Sequence, residues 1–339
     1  MLRPCEKGVE LAILGGDGGN MTKRQLWTYI AGGVLNLFVL GSITSCGGMY
    51  NASPDGNLKN KRSGTDKSLY SVAYGNGTWI AAGSRGTILK STDNGNSWTI
   101  KNSGTDTFVS GIFYSNNTWI TVGEKGTILK STDDGETWTI KDSDTDKQYQ
   151  SVTYDNGRWI VIGFRGAIVD STDNGETWRK RVFKEDKGVH SVAYGNGAWI
   201  AVGEKGTILK STDDSETWTI KESGTDKHLH SVAYDSNTWI AVGTKGEILK
   251  STDDGETWTK KNSGTDKIFL SVAYGNGAWI AVGYYNVIFK STDNGETWTK
   301  LNSGTNGILN GIATDGVTFV AVGKKGTILS STDAVQWKE

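Results

Sequence analysis

The sequence predicts an all-β fold, a seven-bladed β-propeller built from four-stranded antiparallel blades. A 40-residue repeat begins at Ser63 and keeps its register, without insertion or deletion, until the last copy. Each copy contains four short β patterns, and units of about 40–45 residues with four strands are typical of propellers of about four to eight blades. A phrase that begins Ser-Thr-Asp occurs once per copy, at Ser91, Ser131, Ser171, Ser211, Ser251, Ser291 and Ser331.

The four β patterns of one copy are rich in Val, Ile, Trp, Tyr and Thr, and Gly, Asn and Asp separate them. In the copy that starts at residue 223 they are His230–Tyr234, Trp239–Gly243, Glu247–Ser251 and Trp258–Lys261. No segment of the repeat has helical periodicity. Seven such units can close a ring that leaves no exposed sheet end. Residues 58–62 align with a fourth strand, so we expect this segment to complete or flank the last blade.

Composition sets few limits on function. The chain has 339 residues, a formal net charge of −1, 46 Gly and 2 Pro. A charge so close to neutral gives no argument for nucleic-acid binding, and we expect none. The two cysteines, Cys5 and Cys46, predict no disulfide framework.

The segment before the repeat has the layout of an export signal. From Met21 it reads as a basic start with Lys23 and Arg24, an apolar stretch, and small residues before Cys46. The ending Ile-Thr-Ser-Cys resembles the bacterial lipobox, which implies a lipid-modified Cys46 after cleavage. The alternative is an uncleaved membrane anchor that happens to precede a cysteine. Because Gly47 follows the cysteine, the resemblance implies the outer membrane if the cell is Gram-negative.

These features divide the chain into four segments. Residues 1–20 are predicted not to be translated, since Met21 supplies the start that a signal peptide requires. Residues 21–45 are the predicted lipoprotein signal peptide, 46–57 a flexible tether, and 58–339 the propeller. We therefore expect a protein of the bacterial cell envelope, anchored to the membrane by lipid.

The recurring acidic phrase resembles the Asp-box, or BNR repeat, of sialidases and related propellers. The pattern is Ser-x-Asp-x-Gly-x-x-Trp, and the resemblance places it between the third and fourth strands, away from the binding face. An aspartate can set such a turn by accepting hydrogen bonds from nearby backbone amides. The alternatives are ion ligands or catalytic carboxylates. Ser215 replaces the glycine of one box, and the last box, Ser331–Trp337, is one residue short and lacks the glycine.

Positions that differ between copies are concentrated in two places. In a four-stranded meander both lie at the same end of every blade, so we predict a variable binding face opposite a constant Asp-box face. The alternative is relaxed drift on exposed loops. One place is the run before the first strand, at Ser68 and Tyr70, Phe108 and Ser110, Gln148 and Gln150, Gly188 and His190, His228 and His230, Ile268 and Leu270, and Ile308 and Asn310. The other is the turn between the second and third strands.

That turn also carries a ring of cations, interrupted only by Tyr285. We predict that the ring surrounds the central channel and attracts an anionic group, such as a phosphate, a carboxylate or an acidic protein. The alternative is a solvated turn whose field nearby acidic residues offset. The basic ring consists of Arg85, Lys125, Arg165, Lys205, Lys245 and Lys325.

Further candidates on the variable face are aromatic residues and histidines. Phe164, Tyr284 and Tyr285 could stack on a sugar or pack on a protein, and His190, His228 and His230 lie in adjacent units. Three imidazoles can bind zinc, but residues 228 and 230 fall at alternating strand positions, so we predict no metal site and no cofactor.

Enzymatic activity is not predicted. Glycoside hydrolysis requires two distinct carboxylates, and the unusual residues Asp170, Glu185 and Asp186 do not form a recognisable pair. The repeat also lacks the arginine cluster that a sialidase needs. In anchor, length and the phrase Gly-x-Lys-Gly-Thr-Ile-Leu-Lys-Ser-Thr-Asp, the chain is similar to the photosystem II stability/assembly-factor-like propellers. That resemblance implies an assembly or interaction role, so we expect a monomer that acts as a scaffold for a protein partner. The alternative is a carbohydrate-binding or glycan-cleaving propeller.

Overall fold

The computed structural model describes residues 63–182, 187–285, 287–304 and 307–338, all within the compact unit Asn57–Glu339. These residues form seven antiparallel sheets, each a simple meander of consecutive strands. The predicted seven-bladed propeller is therefore confirmed. The predicted leader, Cys46, the tether and residues 58–62 lie outside the described residues, as do Glu185 and Asp186.

Every blade uses its strands in chain order. The first strands are β1 Leu69–Gly75, β5 Val109–Ser115, β9 Tyr149–Asp155, β13 Val189–Gly195, β17 Leu229–Asp235, β21 Phe269–Gly275 and β25 Leu309–Thr314. The second strands are β2 Thr78–Gly83, β6 Thr118–Gly123, β10 Arg158–Gly163, β14 Ala198–Gly203, β18 Thr238–Gly243, β22 Ala278–Gly283 and β26 Phe319–Gly323.

The outer half of each blade is shorter. The third strands are β3 Ile88–Ser91, β7 Ile128–Ser131, β11 Ala167–Ser171, β15 Ile208–Ser211, β19 Ile248–Ser251, β23 Ile288–Ser291 and β27 Ile328–Ser331. The fourth strands are β4 Thr99–Lys101, β8 Thr139–Lys141, β12 Arg179–Val182, β16 Thr219–Lys221, β20 Thr259–Lys260 and β24 Thr299–Leu301. In the seventh sheet, Lys338 forms a single bridge to Ser330 at the place of a fourth strand.

The helices of the described residues are single 3₁₀ turns at Ser84–Gly86, Glu204–Gly206, Thr244–Gly246 and Lys324–Gly326. None of them has the length or the apolar character needed to span a membrane.

The hydrophobic core lies between neighbouring blades. Second strands supply its centre, and a Trp or Phe at the same position of each is almost fully buried. Between the fourth and fifth blades, for example, Trp239 and Leu249 pack against Ile200 and Ile208. Because each cluster is shared by two blades, a single repeat cannot bury its apolar face alone and depends on its neighbours.

The ring closes between the first and last blades. Leu69 and Trp79 pack against Val320 and Val322 in a cluster like the other six. Asn310 Nδ2 donates a hydrogen bond to the Leu69 carbonyl at 2.7 Å. A Cβ atom at Gly326 would collide with the Thr65 carbonyl oxygen, as one at Gly86 would collide with that of Thr105. The chain at residues 63–65 thus packs on the last blade in the place that residues 103–105 take on the first.

The Asp-box carboxylates belong to the turns that contain them. Asp253 accepts the Thr257 amide at 2.9 Å, the Thr257 hydroxyl at 2.6 Å and the Ser251 hydroxyl at 2.7 Å. The Trp258 indole donates to the Gly255 carbonyl at 3.2 Å and closes the turn. Desolvation acts to raise the pKa of Asp253, but the hydrogen bonds from Thr257 and Ser251 outweigh it and hold the pKa at about 2. These bonds show that the Asp-box aspartate stabilises the turn that contains it.

Each of the two irregular boxes contains a non-glycine residue in the left-handed region. Ser215 takes a φ of +64°, the left-handed region that its glycine counterparts occupy. Its hydroxyl is buried without a hydrogen-bond partner in the described residues. In the short last box Ala334 adopts a φ of +54° and is buried.

Ion pairs link successive blades at the Asp-box end. A lysine from a third strand and another from the fourth-strand region hold one glutamate of the next blade's box, with each nitrogen–oxygen distance 2.6 or 2.7 Å. The lysine pairs are Lys90 and Lys101, Lys130 and Lys141, Lys210 and Lys221, and Lys250 and Lys261. Their acceptors are Glu136, Glu176, Glu256 and Glu296, respectively. We call each such group a blade staple.

The third blade forms this link with different residues. Asp170 replaces the third-strand lysine and is fully buried, paired with Arg158, Arg179 and Arg181. Desolvation acts to raise the pKa of Asp170, but Arg179 and Arg181 hold it below its usual value. Arg181 also holds Glu216 of the next blade. The unusual aspartate therefore belongs to a structural ion cluster.

Candidate binding face

The variable face is built from two kinds of loop at one end of each blade. In a four-stranded meander, the entry to the first strand and the turn between the second and third strands lie at the same end. A backbone hydrogen bond ties these loops together, for example from the Thr244 amide to the His228 carbonyl at 2.9 Å. The Asp-box turns lie at the opposite end, as the sequence predicts.

A cavity of about 240 Å³ opens at the centre of the ring. Each blade contributes to its wall the second residue of its variable pair, and the second blade adds Phe108. These residues are Tyr70, Ser110, Gln150, His190, His230, Leu270 and Asn310. First strands pack side by side around the ring, which makes them the innermost strands and brings residues 40 positions apart into one wall.

Below this layer lies a ring of small residues, Ser71, Gly111, Ser151, Ser191, Ser231, Ser271 and Gly311. Several of these serines join adjacent blades. The Val232 amide donates to Ser191 Oγ at 3.2 Å, and the Val272 amide donates to Ser231 Oγ at 3.2 Å. The near-constant serine therefore has a structural role, while the residue immediately before it is free to differ between blades.

Two aromatic pairs stand in the cavity wall. Tyr70 and Phe108 have ring centroids 4.3 Å apart, and His190 and His230 have ring centroids 5.3 Å apart. Burial, with a smaller effect of the His228 charge, lowers the pKa of His190 to about 4. Burial likewise lowers the pKa of His230 to about 4, with smaller effects of His190 and His228. Both imidazoles are therefore neutral at pH 7.

A groove of about 710 Å³ lies beside this cavity on the variable face, between the third and fourth blades. Phe164, a predicted site residue, lines the groove and meets His190 edge to face at 5.4 Å. Arg165 also lines it, and Lys147 Nζ donates to the Arg165 carbonyl at 2.8 Å. Asp146 and Glu204 add opposite charges to the same groove.

The basic ring lies outside the cavity wall. Its six cations occupy equivalent left-handed positions, with φ between +50° and +55°, and all six are exposed. None of them is among the described residues that line the central cavity. The sequence predicts cations around the channel itself; the structure places them farther out because second and third strands lie outside the first strand in each blade. Acidic neighbours are present too, since Lys245 contributes to a lowered pKa at Asp226, although Lys227 contributes more.

The remaining predicted residues lie away from the central cavity. Tyr285 is 75% exposed, and Lys267 Nζ lies 5.2 Å from its ring centroid. Tyr284 is half-buried beside it, with centroids 6.4 Å apart. His228 is exposed and does not join His190 and His230 in the cavity wall. No group of three metal-ligating side chains occurs within the described residues.

Six wall residues are marked by the sequence only as variable positions: Tyr70, Phe108, Ser110, Gln150, Leu270 and Asn310. The available signal is positional: all but Phe108 directly precede the near-constant serine or glycine of the first strand. This position identifies cavity residues only when the first strand is known to be the innermost strand of each blade.

Known proteins are similar to this chain in sequence and in fold. A family model described as photosynthesis system II assembly factor YCF48 matches residues 214–338. The chain is a BNR-type seven-bladed β-propeller that resembles this assembly factor. A structure of YCF48 bound to D1 peptide has a TM-score of 0.68 and 18% identity, covering 80% of this chain and 93% of that chain.

Other solved propellers are similar as well. YCF48 from Cyanidioschyzon merolae has a TM-score of 0.67 and 18% identity, covering 80% of this chain and 98% of that chain. The WD40 propeller domain of Doa1 has a TM-score of 0.64 and 10% identity, covering 80% and 94%. At these identities the structural similarity shows the fold alone. No curated protein matches the chain.

Proposed function

We propose that this propeller is a protein-binding assembly scaffold whose variable face holds a polypeptide partner. The observation that carries this proposal is the division between its two faces. One face repeats the same bonded Asp-box turns, whereas the other presents a different side chain from every blade around one cavity. The family model over residues 214–338 and the fold shared with a YCF48 that binds D1 peptide support a protein partner.

The proposed role is non-catalytic. Two kinds of carboxylate in the described residues form structural bonds. Asp253 and its equivalents accept hydrogen bonds within their own turns, and Asp170 pairs with three arginines. A matched family model described as an assembly factor is consistent with this role. We further propose that the protein acts as a monomer.

Attachment to the envelope is a separate part of the proposal. Cys46 would carry the lipid, and the tether would leave the propeller free to meet its partner. Cys46→Ala should leave the protein soluble or uncleaved in the export compartment. Unchanged membrane fractionation of this variant, together with no lipid mass on the wild-type protein, would contradict the anchor.

A pair of photo-crosslinking variants tests the binding face. A crosslinking residue at Tyr285 probes the variable face, and one at the exposed Thr252 probes the Asp-box face. We expect a discrete polypeptide adduct from position 285 and none from position 252. Equal labelling at both positions, or none at position 285, would contradict the assignment of the face.

A glycan is the second candidate ligand. The exposed ring of Tyr285 beside Tyr284 and the half-buried Phe164 could stack on sugars. A glycan array separates the two functions, because strong and selective sugar binding that is lost in Tyr285→Ala would displace the protein-scaffold proposal.

A further inference from the structure

The central cavity differs in chemistry from the face around it. The basic ring and the groove between the third and fourth blades carry charged side chains, whereas no Lys, Arg, Asp or Glu is among the described residues that line the cavity. Its two histidines are neutral at pH 7 because burial depresses both pKa values. A charged group that entered this cavity would lose hydration without meeting an opposite charge, so the cavity favours an uncharged group.

The arrangement of the wall suggests a flat group. Tyr70 and Phe108 come from the first and second blades, and His190 and His230 come from the fourth and fifth, so the two aromatic pairs stand on different sides of the ring. Aromatic rings prefer offset or edge-to-face partners, and a ring between two such pairs can satisfy both. Leu270, also in the wall, adds apolar contact.

The size of the cavity suits one side chain. An apolar cavity of about 150 Å³ holds benzene, so the 240 Å³ available here can receive a phenol or an indole. Ligand pockets for whole small molecules are usually larger, about 300–1,000 Å³. Entry of a single side chain from a longer chain is therefore the better match in volume.

The wall also supplies polar atoms. Gln150 contributes an amide, and Asn310 is held by its bond to the Leu69 carbonyl. A side chain that combines an aromatic ring with a polar atom suits such a wall better than a purely apolar one.

We propose that the central cavity receives one uncharged aromatic side chain with a polar atom, tyrosine or tryptophan, from the partner polypeptide. The ring lies between the Tyr70–Phe108 pair and the His190–His230 pair. This inference rests on the proposed protein-binding function and names the side chain that the face selects. The groove lined by Phe164 adjoins His190 and gives the rest of the partner segment a path across the face.

Short peptides test the inference without the partner. The probes are capped Gly–X–Gly tripeptides in which X is tyrosine, tryptophan, alanine, lysine or glutamate, added at millimolar concentration to the full chain. Saturation-transfer NMR measures their binding. We expect the tyrosine or tryptophan peptide to bind at least about tenfold more tightly than the alanine, lysine and glutamate peptides.

Matched variants place the binding in the cavity. Leu270→Trp fills the cavity, and Thr252→Trp puts the same side chain at an exposed position on the opposite face. Gln150→Glu, a second cavity variant, adds a charge with little change of volume. We expect both cavity variants to weaken aromatic-peptide binding about tenfold or more, and Thr252→Trp to leave it unchanged.

Two results would overturn the inference. One is that no aromatic peptide binds the wild-type protein. The other is that aromatic peptides bind a folded Gln150→Glu protein as tightly as the wild type. Either result leaves the crosslinking result at Tyr285 unaffected, so failure of this inference is distinguishable from failure of the protein-binding function.

Discussion

Lys210 Nζ lies 2.7 Å from Glu256 Oε1, and the two residues belong to successive blades. The lysine side chain is only 8% exposed, whereas the glutamate is 52% exposed. Lys221 holds the second carboxylate oxygen at 2.6 Å. Hydrogen bonds from Lys210 and Lys221 hold the pKa of Glu256 below its usual value. The link is thus a hydrogen-bonded contact across a blade interface, repeated around much of the ring.

The first prediction concerns this staple. A double-mutant cycle with Lys210→Met and Glu256→Gln should give a favourable coupling free energy. We expect the lower end of about 0.5–3 kcal/mol, the range for residues in contact, because the solvent around Glu256 screens the pair. Denaturant unfolding of the four proteins measures it. The matched control is Glu222→Gln, an exposed glutamate of the blade that contains Lys210. Zero coupling between Lys210 and Glu256 would contradict the stapling role.

The second prediction concerns the Asp-box. Asp253→Ala removes the acceptor of two Thr257 hydrogen bonds and one from Ser251, and should lower the free energy of unfolding by about 0.5–2 kcal/mol. Partner or peptide affinity should hardly change, because the turn lies opposite the variable face. A large loss of affinity with unchanged melting would show that the box takes part in binding.

The third prediction concerns acid stability. The pKa of His190 and His230 falls from 6.5 in the unfolded chain to about 4 when folded, so the unfolded chain binds more protons and stability falls as the pH drops from about 6.5 to 4. Six Asp-box carboxylates extend this loss of stability. Their folded pKa is about 2 against 3.8, so their contribution is present above pH 4 and disappears as the pH falls through 2; they are Asp93, Asp133, Asp173, Asp253, Asp293 and Asp333.

Melting temperatures between pH 7 and pH 2 measure both phases. The double variant His190→Gln and His230→Gln should show a smaller fall in melting temperature above pH 4. The fall below pH 4 should be unchanged. A melting temperature independent of pH over this whole range would be inconsistent with the buried neutral histidines and the bonded Asp-box carboxylates.

The fourth prediction concerns Ser215. A left-handed conformation is unfavourable for a residue with a Cβ atom by about 1–2 kcal/mol, and Ser215 adopts it at φ +64°. Ser215→Gly should therefore stabilise the fold by about 1 kcal/mol. The reverse change in the next blade, Gly255→Ser, should destabilise it more, since a Cβ there would lie 2.5 Å from Ile200 Cδ1. Equal effects of one sign from both changes would refute this explanation.

The fifth prediction concerns the basic ring. One exposed charge contributes little, often under about 1 kcal/mol, so Lys205→Ala alone should be almost silent. Changing Lys125, Arg165, Lys205 and Lys245 together to Ala should slow capture of the crosslinked partner about tenfold or more at low salt, and added salt should mimic the effect. Melting should stay close to wild type because all four side chains are exposed.

The control for the ring keeps its charge. Lys125→Arg, Lys205→Arg and Lys245→Arg together should bind as the wild type does across the salt series. If the four-alanine variant captures the partner at the wild-type rate at low salt, the ring is a solvated rim. Tyr284 and Tyr285 would then become the next residues to change.

Local patterns in the sequence are sufficient for the blade. The alternation of β-forming residues with Gly, Asn and Asp predicts strands such as Leu229–Asp235 and Thr238–Gly243 to within a residue or two. The Asp-box phrase likewise predicts a turn between the third and fourth strands, such as the one that contains Asp253. These features depend on contacts within a few residues of one another, and seven copies present the same pattern repeatedly.

Residues about one repeat apart meet only because neighbouring blades pack against each other. Tyr70 and Phe108, 38 positions apart, have ring centroids 4.3 Å apart, and Lys90 reaches Glu136 across 46 positions. The sequence by itself determined the propeller, its two faces and the turns of the Asp-box. Only the tertiary structure decided that the neutral residues before the serine line the cavity and that the basic ring lies outside it. The physical reason is that a residue's distance from the ring axis depends on which strand of the blade packs innermost. That choice is made by contacts between blades, which no single repeat contains.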